Sequence, residues 1–453
     1  MYDPHLHLLI DDHEVLYRAN LTRFVEQPQR VSLEPVLKPE APWEHGHVCL
    51  WGSVLHNGSE FQMWYLAIPP DRRSGYDRIC YATSPDGVNW TRGDFDRYPL
   101  PEAPRNNLVY RDEQLPRIRR SHPFTVIRDP HEPDPQRRYK FVGYMNDADH
   151  NRGYSIGFSP DGIDWTYAPR ALIPRGDRTA VGQDFVNGDF VMTSRGDNRG
   201  RDRQAGHMTR RDIAISRSPD LLNWTPGVRV FEGDDDDPPG TEFYGMPLFM
   251  WGNQWIGFLE YYDPLNEILN VQLTTSRDGD RWERACSRRT YFDVGSSDSW
   301  ESTWVVFPPS PPIVVGDEML LWYTGRPLAH RRAEELTFSS SIGLARAPRD
   351  RFAGLRAGPD GGELTTDWVE VGGPRLLLNI GAAAGSLTVA VTGDDATPIP
   401  GFDHADYDSG IKSGVDVEAT WNGRNLASLV GRSVRLHVKI TYATLYAYRF
   451  AGA

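Results

Sequence analysis

A short phrase that recurs along the chain constrains the fold more than any other feature of the sequence. YATSPDGVNW ends at Trp90, and IGFSPDGIDW ends at Trp165. AISRSPDLLNW and TTSRDGDRW end at Trp224 and Trp282, and a degenerate copy, IGLARAPRDRF, ends at Phe352. Self-similarity at a long period is typical of a fold built from repeated structural units.

Each phrase predicts two antiparallel strands joined by a tight Ser-Pro-Asp-Gly turn. Proline fixes φ, aspartate hydrogen-bonds to the local backbone, and glycine accepts positive φ. The tryptophan that follows is a large apolar ring suited to packing between neighbouring sheets. We therefore expect Trp90, Trp165, Trp224 and Trp282 to be buried.

The residues that precede each phrase complete a four-stranded unit. Hairpin turns are predicted at residues 56–58, at Asn187–Gly188, at Gly252–Asn253 and at Gly316–Asp317. Five such units with little helical periodicity between them predict an all-β fold, a five-bladed β-propeller spanning residues 1–360.

The repeated phrase stops after about residue 360, and a different pattern follows. Short strands carry alternating apolar residues, such as Val434, Leu436, Val438 and Ile440, which mark one buried face. We expect residues 361–453 to form a small C-terminal β-sandwich, either a carbohydrate-binding module or an accessory domain that packs against the propeller.

Charge and cysteine usage exclude several classes of partner and compartment. A formal net charge of -13 argues against binding nucleic acid, because phosphate backbones require a basic surface. The three cysteines, Cys49, Cys80 and Cys286, are expected to be buried free thiols. The chain begins without a signal-peptide pattern and contains no apolar run of membrane-spanning length, so we expect a cytoplasmic protein without a membrane partner. The sequence specifies no oligomeric state.

The repeated phrases resemble those of the five-bladed propeller glycoside hydrolases of families 32, 43, 62, 68, 117 and 130. LLIDDHEVLYRANLTRFVEQP, IRDPHEPDPQRRYKF and SPPIVVGDEMLLWYTG look like uncharacterised family-32-like proteins. The resemblance covers about residues 7–355, and the C-terminal unit is similar to the family 32 accessory domain. It implies a glycoside hydrolase that acts on a furanoside or a related non-reducing-end sugar.

The sequence departs from that family pattern in two places. The W-M-N-D-P-N-G and E-C signatures of the fructosidases are missing. Arg128-Asp129-Pro130 matches their R-D-P motif, but it ends a strand and begins the DPHEPDPQRRYK hairpin, so we interpret Asp129 as a turn residue.

Glycosidic cleavage needs an acid that protonates the leaving oxygen and a second carboxylate that acts as base or nucleophile. Acids directly precede four of the five innermost strands, and we expect them to converge at one mouth of the channel. Glu242 is followed by the apolar Phe243, Tyr244 and Met246, which predicts the desolvated setting of a general acid. Glu301 or Glu44 is then the base or nucleophile. The four predicted catalytic residues are Glu44, Asp177, Glu242 and Glu301.

Aromatic, histidine and arginine residues near these acids are candidates for substrate binding. The arginine-rich stretch from Arg195 to Arg211 is either a charged loop or a clamp for a carboxylate or phosphate. The predicted substrate-binding residues are His45, His47, Arg119, His122, Arg195, Tyr244, Trp300 and Trp304.

Three functions remain open: a hydrolase, a phosphorylase or transferase, and a sugar-binding propeller without catalysis. The partner in each case is a carbohydrate. No metal or other cofactor is expected, because His45 and His47 lack further ligands at convincing spacing.

Overall fold

The Ser-Pro-Asp-Gly turns form as the sequence predicts. In the computed structural model, Ser84 Oγ accepts a hydrogen bond of 2.8 Å from the Gly87 N–H. Asp86 Oδ1 accepts from the N–H groups of Val88 and Asn89 at 2.9 and 2.8 Å. The phrases that end at Trp165, Trp224 and Trp282 repeat the aspartate pattern.

The structure describes residues 1–68, 78–111, 118–129, 131–147, 152–167, 178–196, 211–328, 340–382, 384–394, 397–408 and 413–452. Within these ranges, the side chains of residues 111, 118–123, 145–147, 152 and 196 are not described. Single helical turns occur at Pro42–Glu44, Pro135–Arg137, Cys286–Arg288 and Ala427–Leu429.

The described strands from Val48 to Pro348 form five blades, with one contribution from the N-terminal segment. That segment contains β1 (Leu6–Leu8), β2 (Val15–Ala19), β3 (Thr22–Val25) and β4 (Gln29–Arg30). Blade 1 contains β5 (Val48–Cys49), β6 (Val54–His56), β7 (Phe61–Ala67), β8 (Arg78–Ser84), β9 (Thr91–Arg92) and β10 (Leu108–Arg111). Blade 2 contains β11 (Ile118–Arg128), β12 (Tyr139–Asp147), β13 (Arg152–Ser159) and β14 (Thr166–Tyr167).

The next three blades repeat this antiparallel order. Blade 3 contains β15 (Thr179–Gln183), β16 (Phe190–Gly196), β17 (Asp212–Ser218) and β18 (Val228–Phe231). Blade 4 contains β19 (Glu242–Phe243), β20 (Leu248–Trp251), β21 (Gln254–Asp263), β22 (Ile268–Ser276), β23 (Glu283–Arg284) and β24 (Thr290–Phe292). Blade 5 contains β25 (Trp304–Val306), β26 (Ile313–Val315), β27 (Glu318–Arg326) and β28 (Ser341–Pro348). The four hairpin turns predicted from the sequence are all confirmed.

The outermost strand of blade 5 comes from the N-terminus. Strand β4 pairs antiparallel with β28, with Arg30 opposite Ala345. The degenerate phrase that ends at Phe352 lacks the Ser-x-Asp-Gly turn, so the chain does not return along β28 after Pro348. Blade 5 is also joined to blade 1. The Leu50 N–H of blade 1 donates a hydrogen bond of 2.7 Å to Thr324 Oγ1 of blade 5.

Tryptophans on the second strand of a blade hold it against the next blade. Trp64 Nε1 donates to the Gly162 carbonyl oxygen at 2.7 Å, and Trp322 Nε1 donates to that of Gly87 at 2.9 Å. Both indoles are almost fully buried. They fit only because the turn glycine has no side chain: a Cβ on Gly162 would lie 2.4 Å from Trp64 Cζ2.

The tryptophans of the repeated phrase are less buried than predicted. Trp282 is buried, but Trp90, Trp165 and Trp224 are half-buried. They follow the turn to the outermost strand, where one face of the ring has no neighbouring sheet. Trp90 and Trp224 each donate their indole N–H to a carbonyl of their own turn.

The second unit is a sandwich of two antiparallel sheets. Its strands are β29 (Ala353–Arg356), β30 (Gly362–Thr366), β31 (Val369–Glu370), β32 (Arg375–Gly381), β33 (Ser386–Thr392), β34 (Gly414–Ala419), β35 (Ser433–Thr441) and β36 (Thr444–Ala451). The predicted buried face is confirmed, since Val434, Leu436, Val438 and Ile440 are at most 2% exposed.

The sandwich includes N-terminal residues, which the sequence analysis assigned to the propeller. Strand β1 pairs with β36, β2 with β30 and β3 with β29. Leu6, Leu8 and Ile10 then pack in one cluster with Trp251 of blade 4 and Ala447 of β36. The two units therefore share a core, and their boundary is not a single point in the sequence.

The three cysteines are free and buried, as predicted. Within the described residues, no helix has the length and apolar character needed to cross a bilayer.

We predict that Gly162→Ala destabilises the protein more than Gly188→Ala does. Both glycines have φ of +81°, so alanine costs about 1–2 kcal/mol at each position. Only Gly162 meets a tryptophan, and overpacking there adds about 1–3 kcal/mol. Urea denaturation of both variants measures the difference. Equal losses would mean that the glycine–tryptophan contact does not hold the blades together.

We also predict that the sandwich loses stability as the pH falls from about 6.5 toward 4. Burial, helped by the nearby His437, lowers the pKa of His404 from 6.5 to about 4. The unfolded chain therefore binds an extra proton in this range, which favours unfolding. His404→Gln is expected to reduce the loss of urea midpoint between pH 7 and pH 4.5. An unchanged loss in this variant would assign the pH dependence to other groups.

Candidate functional site

Side chains from four blades meet on the propeller axis in a group that we call the axial cluster. Each member is at most 7% exposed, and none of them comes from a surface loop tip. Blade 1 contributes one residue, blade 3 one, blade 4 two and blade 5 two. The members are Trp51, Arg178, Tyr244, Glu260, Trp304 and Arg326.

A buried ion pair between Arg178 of blade 3 and Glu260 of blade 4 forms the floor of the cluster. Arg178 Nε lies 3.0 and 2.9 Å from the two carboxylate oxygens, and Nη2 also contacts Oε1. Nη2 donates in addition to the Phe307 carbonyl of blade 5 at 3.2 Å. Arg178 Nη1 is buried without a hydrogen-bond partner among the described residues. The pair therefore leaves one donor group available inside the site.

Gly245 provides the space for this ion pair. A Cβ at this position would lie 2.3 Å from Arg178 Cγ and 2.5 Å from Glu260 Oε2. A backbone hydrogen bond of 2.9 Å, from the Glu260 N–H to the Gly245 carbonyl, holds these two segments of blade 4 together. No other residue fits here without displacing one of the two charges.

Aromatic rings and guanidinium groups alternate above the ion pair. The ring of Trp304 packs edge-on against that of Tyr244 at 4.9 Å. Arg326 lies over the Trp304 ring at 3.9 Å and 5.5 Å from that of Trp51. Such layers combine flat apolar faces with fixed hydrogen-bond donors, which is the composition of a small-molecule pocket.

Glu242 lies beside the cluster at the start of the innermost strand of blade 4. It is 7% exposed, and its Oε2 accepts a hydrogen bond from Arg211 Nη1. The Arg211 guanidinium lies over the Tyr244 ring at 5.2 Å. The remaining oxygen, Oε1, makes no hydrogen bond within the described residues. This carboxylate is thus oriented by one arginine and keeps one oxygen for another partner.

Glu242 and Glu260 lie on the same face of blade 4. Glu242 is opposite Tyr262 in the register of β19 and β21, and Glu260 is two residues before Tyr262. Diagonal positions in an antiparallel pair are separated by roughly 7–8 Å. Two carboxylates therefore lie near each other on one face of this sheet.

The surroundings of Glu242 differ from the apolar collar that the sequence predicted. Phe243 points into the core between blades 3 and 4, where Met246 also packs. An arginine contact takes the place of the apolar collar on which the predicted proton-donor role depended. Glu242 lies beside the axial cluster, and its catalytic role stays a prediction.

Three further residues predicted to bind substrate lie at or next to the axial cluster. Tyr244 and Trp304 are members of it. Arg195 is 8% exposed, and its guanidinium lies 5.4 Å from the centre of the Tyr244 ring. His47 is connected to the cluster through Cys49 Sγ, which lies 3.5 Å from His47 Nε2 and 3.6 Å from Arg326 Nη2.

Glu44 is held by blade 1 and the segment just before it, and no described contact joins it to Glu242 or Glu301. Oε1 accepts from Tyr65 at 2.6 Å and from Arg92 Nε at 2.9 Å. Oε2 accepts from the N–H groups of Glu40 and Ala41, both at 2.9 Å. These contacts fix the Pro42–Glu44 turn, and they favour a structural role for this carboxylate.

Glu301 and Trp300 point toward the N-terminal strand and away from the axis. Glu301 Oε1 accepts from Arg30 Nε, and the Arg30 guanidinium also lies over the Phe292 ring at 4.5 Å. Trp300 Nε1 donates to the Leu33 carbonyl at 3.0 Å. This pair anchors β4, the strand that completes blade 5, and the structure does not bring it together with Glu242.

His45 is exposed and contacts Arg78 at 3.2 Å. Burial of part of its ring and the Arg78 charge lower the pKa of His45. Arg119 and His122 belong to β11, but their side chains lie outside the described set. Asp177 also lies outside the described residues, so its assignment stays a prediction.

Four members of the cluster were not predicted from the sequence: Trp51, Arg178, Glu260 and Arg326. The predicted acids all lie in the loops that precede innermost strands. Glu260 instead interrupts the apolar run WIGFLEYY on a second strand, and a carboxylate in such a run needs a buried partner. A charged residue inside an apolar run is the sequence signal from which Glu260 could have been predicted.

Asp129 lies at the turn between β11 and β12, as interpreted from the sequence. Its Oδ1 accepts from the His131 N–H at 3.0 Å, and its carboxylate pairs with Lys140 at 3.2 Å. Across the described part of the chain, no three His, Cys, Asp or Glu residues are arranged to hold a metal ion.

Comparison with known proteins identifies the fold. No protein-family model matches the chain, and no curated protein matches it. A glycosyl hydrolase from Bacteroides ovatus superposes with a TM-score of 0.50 at 15% identity, covering 77% of this chain and 98% of that one. A second glycoside hydrolase structure superposes with a TM-score of 0.50 at 13% identity, covering 71% and 92%. The chain therefore has the propeller fold of glycoside hydrolases.

We predict that Arg178 and Glu260 act as one unit. Glu260→Gln leaves a buried guanidinium without its counter-charge and is expected to cost about 3–5 kcal/mol of unfolding free energy. Replacing both residues by methionine should cost less than that single change, because no charge remains buried alone. Denaturant unfolding of the single and double variants tests this. Additive losses in the double variant would contradict the coupling.

Proposed function

We propose that this protein is a glycoside hydrolase that cleaves a non-reducing-end glycosidic bond at the axial site. The observation that supports this most is Glu242, a buried carboxylate near the axial cluster with one oxygen that makes no hydrogen bond within the described residues. Glycosidic cleavage requires such a carboxylate within reach of the sugar carbon. A furanoside is the sugar class that the sequence resemblance favours.

The axial cluster suits the other requirements of a sugar site. Tyr244 and Trp304 offer aromatic faces against which the apolar face of a sugar ring packs. Arg178 Nη1 is a donor for a sugar hydroxyl. The buried side chains of Arg178 and Glu260 close the inner end of the site. A site closed at one end fits the terminal sugar of a chain better than an internal one.

Glu242 is proposed to act as the base or nucleophile. Its contact with Arg211 Nη1 fixes the direction of the carboxylate. For the proton donor we propose Asp177 in place of Glu242, because this predicted catalytic residue directly precedes Arg178 in the sequence. Glu260 is a positioning residue that acts through Arg178.

We predict that Glu242→Gln lowers turnover by roughly 10²–10⁴-fold. The loss should be similar on a natural glycoside and on an activated aryl glycoside, since a base or nucleophile is needed for both. For Glu242→Ala, added azide should restore part of the rate on the aryl glycoside. The rates of the purified, folded variants measure both effects.

Glu44→Gln is the matched control, because it removes a buried carboxylate outside the axial cluster. It is expected to lower stability and leave turnover of the folded enzyme unchanged. If the loss for Glu242→Gln is much smaller on the aryl glycoside, Glu242 is instead the proton donor. Tight sugar binding without turnover in the wild type would replace the hydrolase by a sugar-binding propeller.

The guanidinium groups near the axis favour phosphorolysis as the second candidate. Arg178, Arg195 and Arg211 of blade 3 and Arg326 of blade 5 lie near the axis, and arginine is well suited to bind phosphate. A phosphorylase would require inorganic phosphate and release a sugar phosphate. Equal rates with and without phosphate would select the hydrolase.

A further inference from the structure

A second cavity lies on the propeller axis at the end opposite to the axial cluster. The axial cluster and Glu242 are at or near the beginnings of the innermost strands, whereas the cavity is lined by their later residues. Each blade contributes to its wall: Leu55 of β6, Val126 of β11, Val181 of β15, Leu248 of β20 and Pro309 before β26. The cavity volume is about 190 Å³.

The N-terminal residues cover this cavity. Met1 and Tyr2 line it, and the Met1 amine donates to the Met250 carbonyl at 2.9 Å. The Gly252 N–H donates to the Met1 carbonyl at 2.9 Å, which fixes the cover to the hairpin turn of blade 4. Tyr2 stacks on Phe185 at a ring distance of 6.1 Å. The cavity thus has a defined apolar boundary on this side.

Arg128 is the charged residue among the described residues of the wall, which also include the polar Thr125, Gln183 and Ser310. It is half-buried at the end of β11 and hydrogen-bonds to the Tyr139 side chain, and it makes no ion pair with a carboxylate of the described residues. The adjacent Asp129 is bound to Lys140 instead, as is Glu132. Among the described residues of the wall, Arg128 therefore has a fixed positive charge and none has a negative one.

We propose that this distal cavity binds a small amphipathic carboxylate, with its apolar body inside and its carboxylate on Arg128. A half-buried guanidinium without a counter-ion is stabilised by a ligand anion, and arginine pairs with carboxylates through two parallel hydrogen bonds. The size limits the body, since an engineered apolar cavity of roughly 150 Å³ binds benzene. One aromatic ring with a short acidic side chain fits these requirements.

The probe for this proposal is 3-phenylpropionate, and its uncharged matched control is 3-phenylpropionamide. We expect saturable calorimetric binding of the acid, tighter than that of the amide by on the order of tenfold. In protein labelled with ¹³C-methyl methionine, the signals of Met1 and Met250 should shift on binding. Absence of binding up to the solubility limit of both compounds would overturn the proposal.

Two variants separate the charge from the cavity. Arg128→Gln should remove the preference for the acid and leave binding of the amide unchanged. Leu55→Phe, a substitution at a partly exposed position, should fill the cavity and abolish binding of both probes. Shifts confined to methionines away from the cavity, or equal binding of acid and amide to the wild type, would overturn the assignment.

The distal cavity is independent of the proposed glycosidase chemistry. Its lining residues include no member of the axial cluster, so Arg128→Gln is expected to retain the turnover of the wild type. A protein without glycosidase activity that still binds the acid at this place would leave the inference intact.

Discussion

The antiparallel pairing of β4 with β28 is the constraint on which the rest of the structure depends. A propeller blade contacts only its neighbours, so the ring persists only if the last blade is completed and joined to the first. Strand β4 completes blade 5, and Trp322 joins that blade to the Gly87 turn of blade 1. Trp51, Arg326 and Trp304 meet on the axis only because these two blades are held side by side.

The ion pair of the axial cluster adds an electrostatic constraint to the geometric constraint set by the pairing of β4 with β28. Arg178 belongs to blade 3 and Glu260 to blade 4, and each would be a costly isolated charge in a partly assembled ring. Apolar packing between blades tolerates small shifts, but the paired hydrogen bonds between these two side chains do not. Burial of opposite charges on neighbouring blades therefore specifies how the blades align.

Much of the fold could be predicted from the sequence because its signals are local. The Ser-x-Asp-Gly turns and the hairpin glycines act within a few residues of themselves. The site was harder to predict, since its contacts join distant residues. Nothing near Glu301 in the sequence indicates that Arg30 pairs with it, and nothing near Glu44 indicates its contacts with Tyr65 and Arg92. The same holds for the sandwich, whose N-terminal strands have no partner nearby in the sequence.

The distribution of the first thirty residues has a consequence for biosynthesis. Met1 and Tyr2 cover the distal cavity, β1 to β3 belong to the sandwich, and β4 belongs to blade 5. These residues are synthesised long before the strands that pair with them, β28 to β30 and β36. The N-terminal strands must therefore wait unpaired while the intervening blades are made, exposed to aggregation and chaperones.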